Sequence, residues 1–117
     1  MKQTENWQDN ENLDPADWAS ARERMHRMVD DAIDYLSTLR DRPVWQPMPE
    51  TIPPHFHQLL PHGPEDPQHI DEELKAYILP YTMGNVHPRF WAWYMGAGTV
   101  SGVIGDFWAS VLNPNLG

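Results

Sequence analysis

The side chains best placed for chemistry stand in one run, His87-Pro88-Arg89-Phe90-Trp91-Ala92-Trp93-Tyr94-Met95, which passes into Gly96-Ala97-Gly98-Thr99. Aromatic rings at this density bury large area and wall either a core or a flat organic ligand. Other constellations are weaker. His55-Phe56-His57 sets two imidazoles two residues apart, a spacing that can meet one ion from an extended strand. His26, His62 and His69 stand at no ligand spacing, and no carboxylate is in sequence register with the pair. Exposed loop histidines and no metal is therefore the reading. Asp30-Asp31 and Glu72-Glu73 are sequence neighbours, which diverge by about 100° on a helix and cannot share a proton. Asp106 sits among apolar helical residues and reads as a structural carboxylate bonded to a nearby N–H or hydroxyl. Ser20, Ser37, Ser101 and Ser110 have no histidine at a recognisable spacing. Gly96-Ala97-Gly98 is too short for a phosphate-cradling loop.

Helices and a proline-rich connection must position the aromatic run. Asp14-Pro15-Ala16-Asp17 opens the first helix, with Asp14 as cap, Pro15 at the first position and Asp17 opposing the dipole. Trp18, Ala21, Met25, Met28, Ala32, Tyr35 and Leu39 then recur at helical spacing, widened by Val29, Ile33 and Leu36. The pattern predicts one amphipathic helix within 13–40, roughly 25 residues and about 38 Å long at ~1.5 Å per residue. A stripe that long asks for a partner, and a second copy of the chain is the economical one. Residues 41–68 carry Pro43, Pro47, Pro49, Pro53, Pro54, Pro61, Pro64 and Pro67, which deny regular helix and central strand. Val44, Trp45, Met48, Ile52, Phe56, Leu59 and Leu60 would pin this segment down as an extended strap. Over 69–117 the spacing predicts a helix Ile70–Leu79 stopped by Pro80, then the aromatic run as an extended stretch. A last helix follows from Thr99 or Ser101 to Leu112, burying Val103, Ile104, Phe107, Trp108 and Val111, and Asn113-Pro114-Asn115 ends it.

Composition narrows the partners. The chain has 117 residues and a formal charge of −9, so nucleic acid and anionic membrane, which need a basic surface, are disfavoured. It has no cysteine, which suits the cytoplasm and excludes thiolate chemistry. Residues 1–12 form a polar tail without the apolar core of a signal peptide, expected to be disordered. Phe90 to Leu112 contains Gly98-x-x-x-Gly102 but is weakened as a membrane span by its glycines and by Asp106, so no membrane partner is expected.

Three pieces in order resemble the N-terminal segment of the pyridoxal-phosphate-dependent amino-acid decarboxylases of the aromatic-L-amino-acid type, group II. The first is Met28-Val29-Asp30-Asp31-Ala32-Ile33-Asp34-Tyr35-Leu36, followed by Arg42-Pro43-Val44. The second is Ile78-Leu79-Pro80 with the loop to His87. The third is the aromatic run and the helix containing Asp106. Together they cover about residues 20 to 117.

The resemblance implies a mainly α fold class: a helical and extended dimer-wrapping segment of a fold-type I, aspartate-aminotransferase-like enzyme, with the catalytic α/β domain absent. It implies a homodimeric carboxy-lyase acting on a small-molecule amino-acid substrate, with pyridoxal phosphate as cofactor. Trp93 and Tyr94 correspond to the family's aromatic pair along the substrate side chain, with Met95 and Gly96 beside them. Asn115 and Leu116 fall where the family's chain reaches the neighbouring subunit's site. Animal aromatic decarboxylases carry tyrosine-phenylalanine-proline where this chain has Trp93-Tyr94-Met95, so substrate choice does not transfer. No catalytic residue is assigned. The family's Schiff-base lysine is preceded by histidine, whereas Lys2 lies in the polar tail and Lys75 follows Asp71-Glu72-Glu73. The sequence thus reads as a partial chain, inactive alone, that supplies dimer contacts and pocket walls. The alternative is a free-standing helical interaction module without catalysis.

Overall fold

In a computed structural model, residues 14–113 are described. The polar tail over 1–12 and the pair Asn115 and Leu116 lie outside these residues. The described chain is helical and contains no strand, as the mainly α class requires. It divides into two units, one ending at Asp34 and one beginning at Tyr35.

The first helix, α1 (Trp18–Ser37), starts later than the sequence pattern predicts. Asp17, and not Asp14, is its cap. The Asp17 carboxylate accepts from the backbone N–H of Ala19 at 2.9 Å and of Ser20 at 3.3 Å, and from the Ser20 hydroxyl. These bonds favour the ionised form, chiefly the one from the Ser20 hydroxyl, and hold the Asp17 carboxyl below its ordinary value of 3.8. A lowered pKa in the folded state means that the cap contributes fully above the ordinary value and is lost as pH falls through the folded one. The amide protons of Ala19 and Ser20 should accordingly titrate together with a midpoint below 3.8 when followed by NMR. A midpoint at or above 3.8 would remove the cap.

No residue of α1 is buried, so its apolar stripe is formed but not covered. Trp18, Met25, Val29 and Ile33 are all exposed.

In the second unit, α1 ends in a 3₁₀ turn, Leu39–Asp41, rather than running to residue 40. The Arg42 Nε donates to Thr38 Oγ1 at 3.0 Å, and its guanidinium lies 4.7 Å from the Tyr35 ring centroid. This cation–π contact folds the chain back along the last turn of the helix.

The proline-rich segment is not extended throughout. Thr51 precedes a single helical turn, α2 (Ile52–His55), in which proline occupies an early position where no N–H is needed. Ile52, 6% exposed, is the buried apolar residue of the described chain. α3 (Pro67–Glu73) also begins earlier than predicted: Pro67 opens it, and the Asp66 carboxylate caps it by accepting from Gln68 N–H at 2.9 Å. Asp71, Glu72 and Glu73 therefore sit toward its end. The helix then widens into a π turn, Leu74–Ile78, and tightens into a 3₁₀ turn, Leu79–Tyr81. Pro80 falls inside that last turn, where its missing N–H rules out a regular i→i−4 bond.

α4 (Val100–Leu112) agrees with the sequence at both ends. Thr99 Oγ1 accepts from Gly102 N–H at 3.0 Å, and Asn113 closes the helix in the left-handed region at φ 37°. The predicted burial fails. Val103, Ile104, Phe107, Trp108 and Val111 are all exposed, and so is Asp106. No buried side-chain nitrogen or oxygen among the described residues lacks a hydrogen-bond partner. Buried side-chain polar groups are satisfied, and what the described residues lack is apolar cover. Among the described residues, no helix is long and apolar enough to cross a membrane.

Candidate functional site

The aromatic run is positioned by a knot between residues 40–46 and 80–89. Gln46 Nε2 donates to the Pro80 carbonyl at 3.0 Å, and an Arg89 guanidinium nitrogen donates to the Arg40 carbonyl at 3.3 Å. Gly84, at φ 81°, lets its backbone press on the Val44 carbonyl. His87, only 4% exposed, binds the Arg42 carbonyl through Nε2 at 3.1 Å and the Arg89 N–H through Nδ1 at 3.0 Å.

From this base the run starts in turns, where the sequence predicts an extended stretch from the outset. His87 N–H donates to the Gly84 carbonyl and Phe90 N–H to the His87 carbonyl, both at 2.9 Å. Pro88 explains part of this, since its fixed φ suits a turn. The Phe90 and Trp93 rings lie 6.0 Å apart at 55°. Asn85 Nδ2 reaches the Gly96 carbonyl at 3.4 Å and closes the loop at its foot.

The four residues assigned to the substrate wall are consecutive on this loop. Trp93 is 66% exposed, Tyr94 is fully exposed and Met95 is half-exposed. Gly96 has open space where a side chain would stand. A hollow of about 90 Å³ beside the knot, lined by Tyr35, Arg42, Trp45, Pro80, Gly84 and His87 among others, is small for a ligand. Binding pockets run to roughly 300–1,000 Å³. These four residues thus stand open on the loop and line no enclosed hollow.

Reading His55 as an exposed loop histidine is corrected. His55 is half-buried at the end of α2, with Nε2 2.7 Å from Glu73 Oε1 and its ring 4.3 Å from the Tyr77 ring. His69 Nε2 lies 3.5 Å from the same oxygen. The carboxylate absent from sequence register comes from another helix. Among the described residues no group of three or more histidines and carboxylates could hold a metal ion. Sequence reasoning also missed the part His87 plays. The signal available was a His-Pro step directly after a glycine-containing loop.

No family model matches the chain. Among curated proteins it is 35% identical over 98 residues to phenylacetaldehyde synthase of Arabidopsis thaliana, covering 80% of this chain and 19% of that protein. It is 28% identical over 107 residues to tyrosine decarboxylase 2 of Narcissus pseudonarcissus, covering 88% and 21%. Among solved structures, tryptophan decarboxylase of Catharanthus roseus in complex with L-tryptophan superposes with a TM-score of 0.70 at 24% identity, over 86% of this chain and 21% of that one. The chain therefore spans about a fifth of the length of the relatives it matches. The class these likenesses define is a helical segment of an amino-acid decarboxylase fold. More particularly, the curated relatives it resembles are named as aldehyde synthase and aromatic amino-acid decarboxylase, and the likeness runs along four-fifths or more of this chain.

Proposed function

We propose that this chain is part of a pyridoxal-phosphate-dependent carboxy-lyase acting on aromatic amino acids, in which it supplies dimer contacts and walls of the substrate pocket. The observation that carries the reading is the match, along four-fifths of the chain, to enzymes named for aromatic amino-acid chemistry. The exposed stripe of α1 and the uncovered face of α4 support a role against a larger body, which a second copy of the chain, as a cytoplasmic homodimer, would provide. Trp93 and Tyr94, with Met95 and Gly96, would line the substrate side chain, and Asn115 and Leu116 would reach the partner's site. That all these parts form one N-terminal segment belongs to the same proposal.

The residues present do not fit the cofactor itself. Lys75, the one lysine among the described residues, is exposed on the π turn beside Glu72 and Glu73, with no histidine before it. Among the described residues no strand ends near it to shape a phosphate site. The cofactor would be held by other parts of the enzyme, and no chemical step is assigned to this chain. The complete protein, supplied with pyridoxal phosphate and L-tryptophan, L-tyrosine or L-phenylalanine, should release carbon dioxide, while residues 1–117 alone should release none. Amine or aldehyde in the product distinguishes decarboxylase from aldehyde synthase. A complete protein that releases no carbon dioxide from any of the three refutes the reading.

A further inference from the structure

His87 is the buried polar side chain of the described chain, and both of its ring nitrogens face backbone groups whose roles are fixed. The Arg42 carbonyl can only accept, so Nε2 carries the proton and donates to it at 3.1 Å. The Arg89 N–H can only donate, so Nδ1 is bare and accepts at 3.0 Å. The geometry therefore defines one species, the neutral ring protonated at Nε2. One bond is local and shapes the turn. The other spans 45 residues and ties that turn to the segment that follows α1.

The tie continues toward the wall. The His87 carbonyl holds the Phe90 N–H, and the Phe90 ring packs on Trp93. We propose that His87 is a positioning residue for the aromatic wall, and that its long bond to the Arg42 carbonyl, more than its local one, sets where Trp93 and Tyr94 stand. This rests on reading those two residues as a substrate wall. His87 itself touches no substrate.

Two substitutions separate the bonds. His87→Asn keeps an oxygen near the Nδ1 place and hence the local bond, as an Asx turn, but falls short of Arg42. His87→Gln brings an amide nitrogen near the Nε2 place and keeps the donor to the Arg42 carbonyl. In the complete enzyme, His87→Asn should raise KM for an aromatic amino acid about tenfold with kcat within about twofold, and His87→Gln should bring KM back to within about threefold of the original. Wild-type enzyme labelled with ¹⁵N in histidine should show His87 as a neutral ring protonated at Nε2, and adding L-tryptophan should move its resonances.

Equal KM in both variants and the wild type, even with a lowered melting temperature, would leave His87 a merely structural residue and overturn the proposal. So would a ring protonated at Nδ1, or one insensitive to L-tryptophan. The ring signal needs no variant and decides the matter if either substitution prevents folding. A wild-type enzyme that turns over no amino acid is a different failure. It removes the wall reading, while the ring signal still reports whether His87 makes the bond to Arg42.

Discussion

Replacing Gly84 by alanine should detach the 80–89 segment from the 40–46 segment, the largest structural effect expected of a methyl group added at any described glycine. Gly84 adopts φ 81°, a region that costs an L-residue roughly 1–2 kcal/mol. Space is the larger objection. A Cβ there would overlap the Val44 carbonyl oxygen and stand 3.1 Å from its carbon. Backbone cannot swing aside as a flexible side chain does, so the 80–89 segment would have to lift off the 40–46 segment. That lift breaks the bonds of Gln46, His87 and Arg89 together. A unit with so little buried apolar surface has small reserves against such a loss. The check is urea denaturation followed by circular dichroism and tryptophan fluorescence. Gly84→Asn separates the causes, because asparagine accepts positive φ but still brings a Cβ. Asparagine should fail like alanine. If it folds normally, the strain lay in φ and the close approach to Val44 is not a constraint.

The second large effect is functional. Trp93→Ala in the complete enzyme should lower kcat/KM for aromatic amino acids by about 2 kcal/mol, roughly thirtyfold, the scale of losing one well-packed aromatic contact. Trp93→Phe should recover most of it, because a phenyl ring keeps a flat apolar face. Steady-state kinetics with L-tryptophan, L-tyrosine and L-phenylalanine would show which part of the loss depends on substrate size. Kinetics unchanged for all three would take Trp93 out of the pocket. The exposure of Trp93 in this segment is what makes the test sharp, since an alanine there removes little internal packing.

Local signals in the sequence located the helices better than they located what covers them. The Thr99 cap and the Asn113 terminus of α4 were both legible, because capping depends on one side chain and a few backbone groups beside it. The start of α1 was misplaced because Asp14 and Asp17 are both competent caps, and sequence alone does not say which carboxylate meets the free N–H groups. Proline was over-read as a helix breaker at Pro53, Pro54 and Pro67, all at helix starts where no N–H is required. Burial of α4 was inferred from apolarity, but apolarity states only that a face wants covering. At the site, the aromatic run was visible as composition. The His87 and Gly84 contacts were not, because they join residues about 40 apart through carbonyl groups that carry no sequence signature.

The widened turn at Leu74–Ile78 has a consequence for how the helix presents its side chains. Four residues along an α-helix overshoot a full revolution by roughly 40°, so a column of every fourth residue drifts around the axis. A π turn, bonding five residues back, is wider and drifts the other way. Here the two are joined in series: His69 to Glu73 climbs in α geometry, and Glu73 to Tyr77 climbs in the widened part. The opposing drifts offset each other and bring His69, Glu73 and Tyr77 toward a single line, against which His55 rests with its nitrogen on Glu73 and its ring on Tyr77. The number of residues between Leu74 and Ile78, as much as their identity, therefore keeps this column in phase.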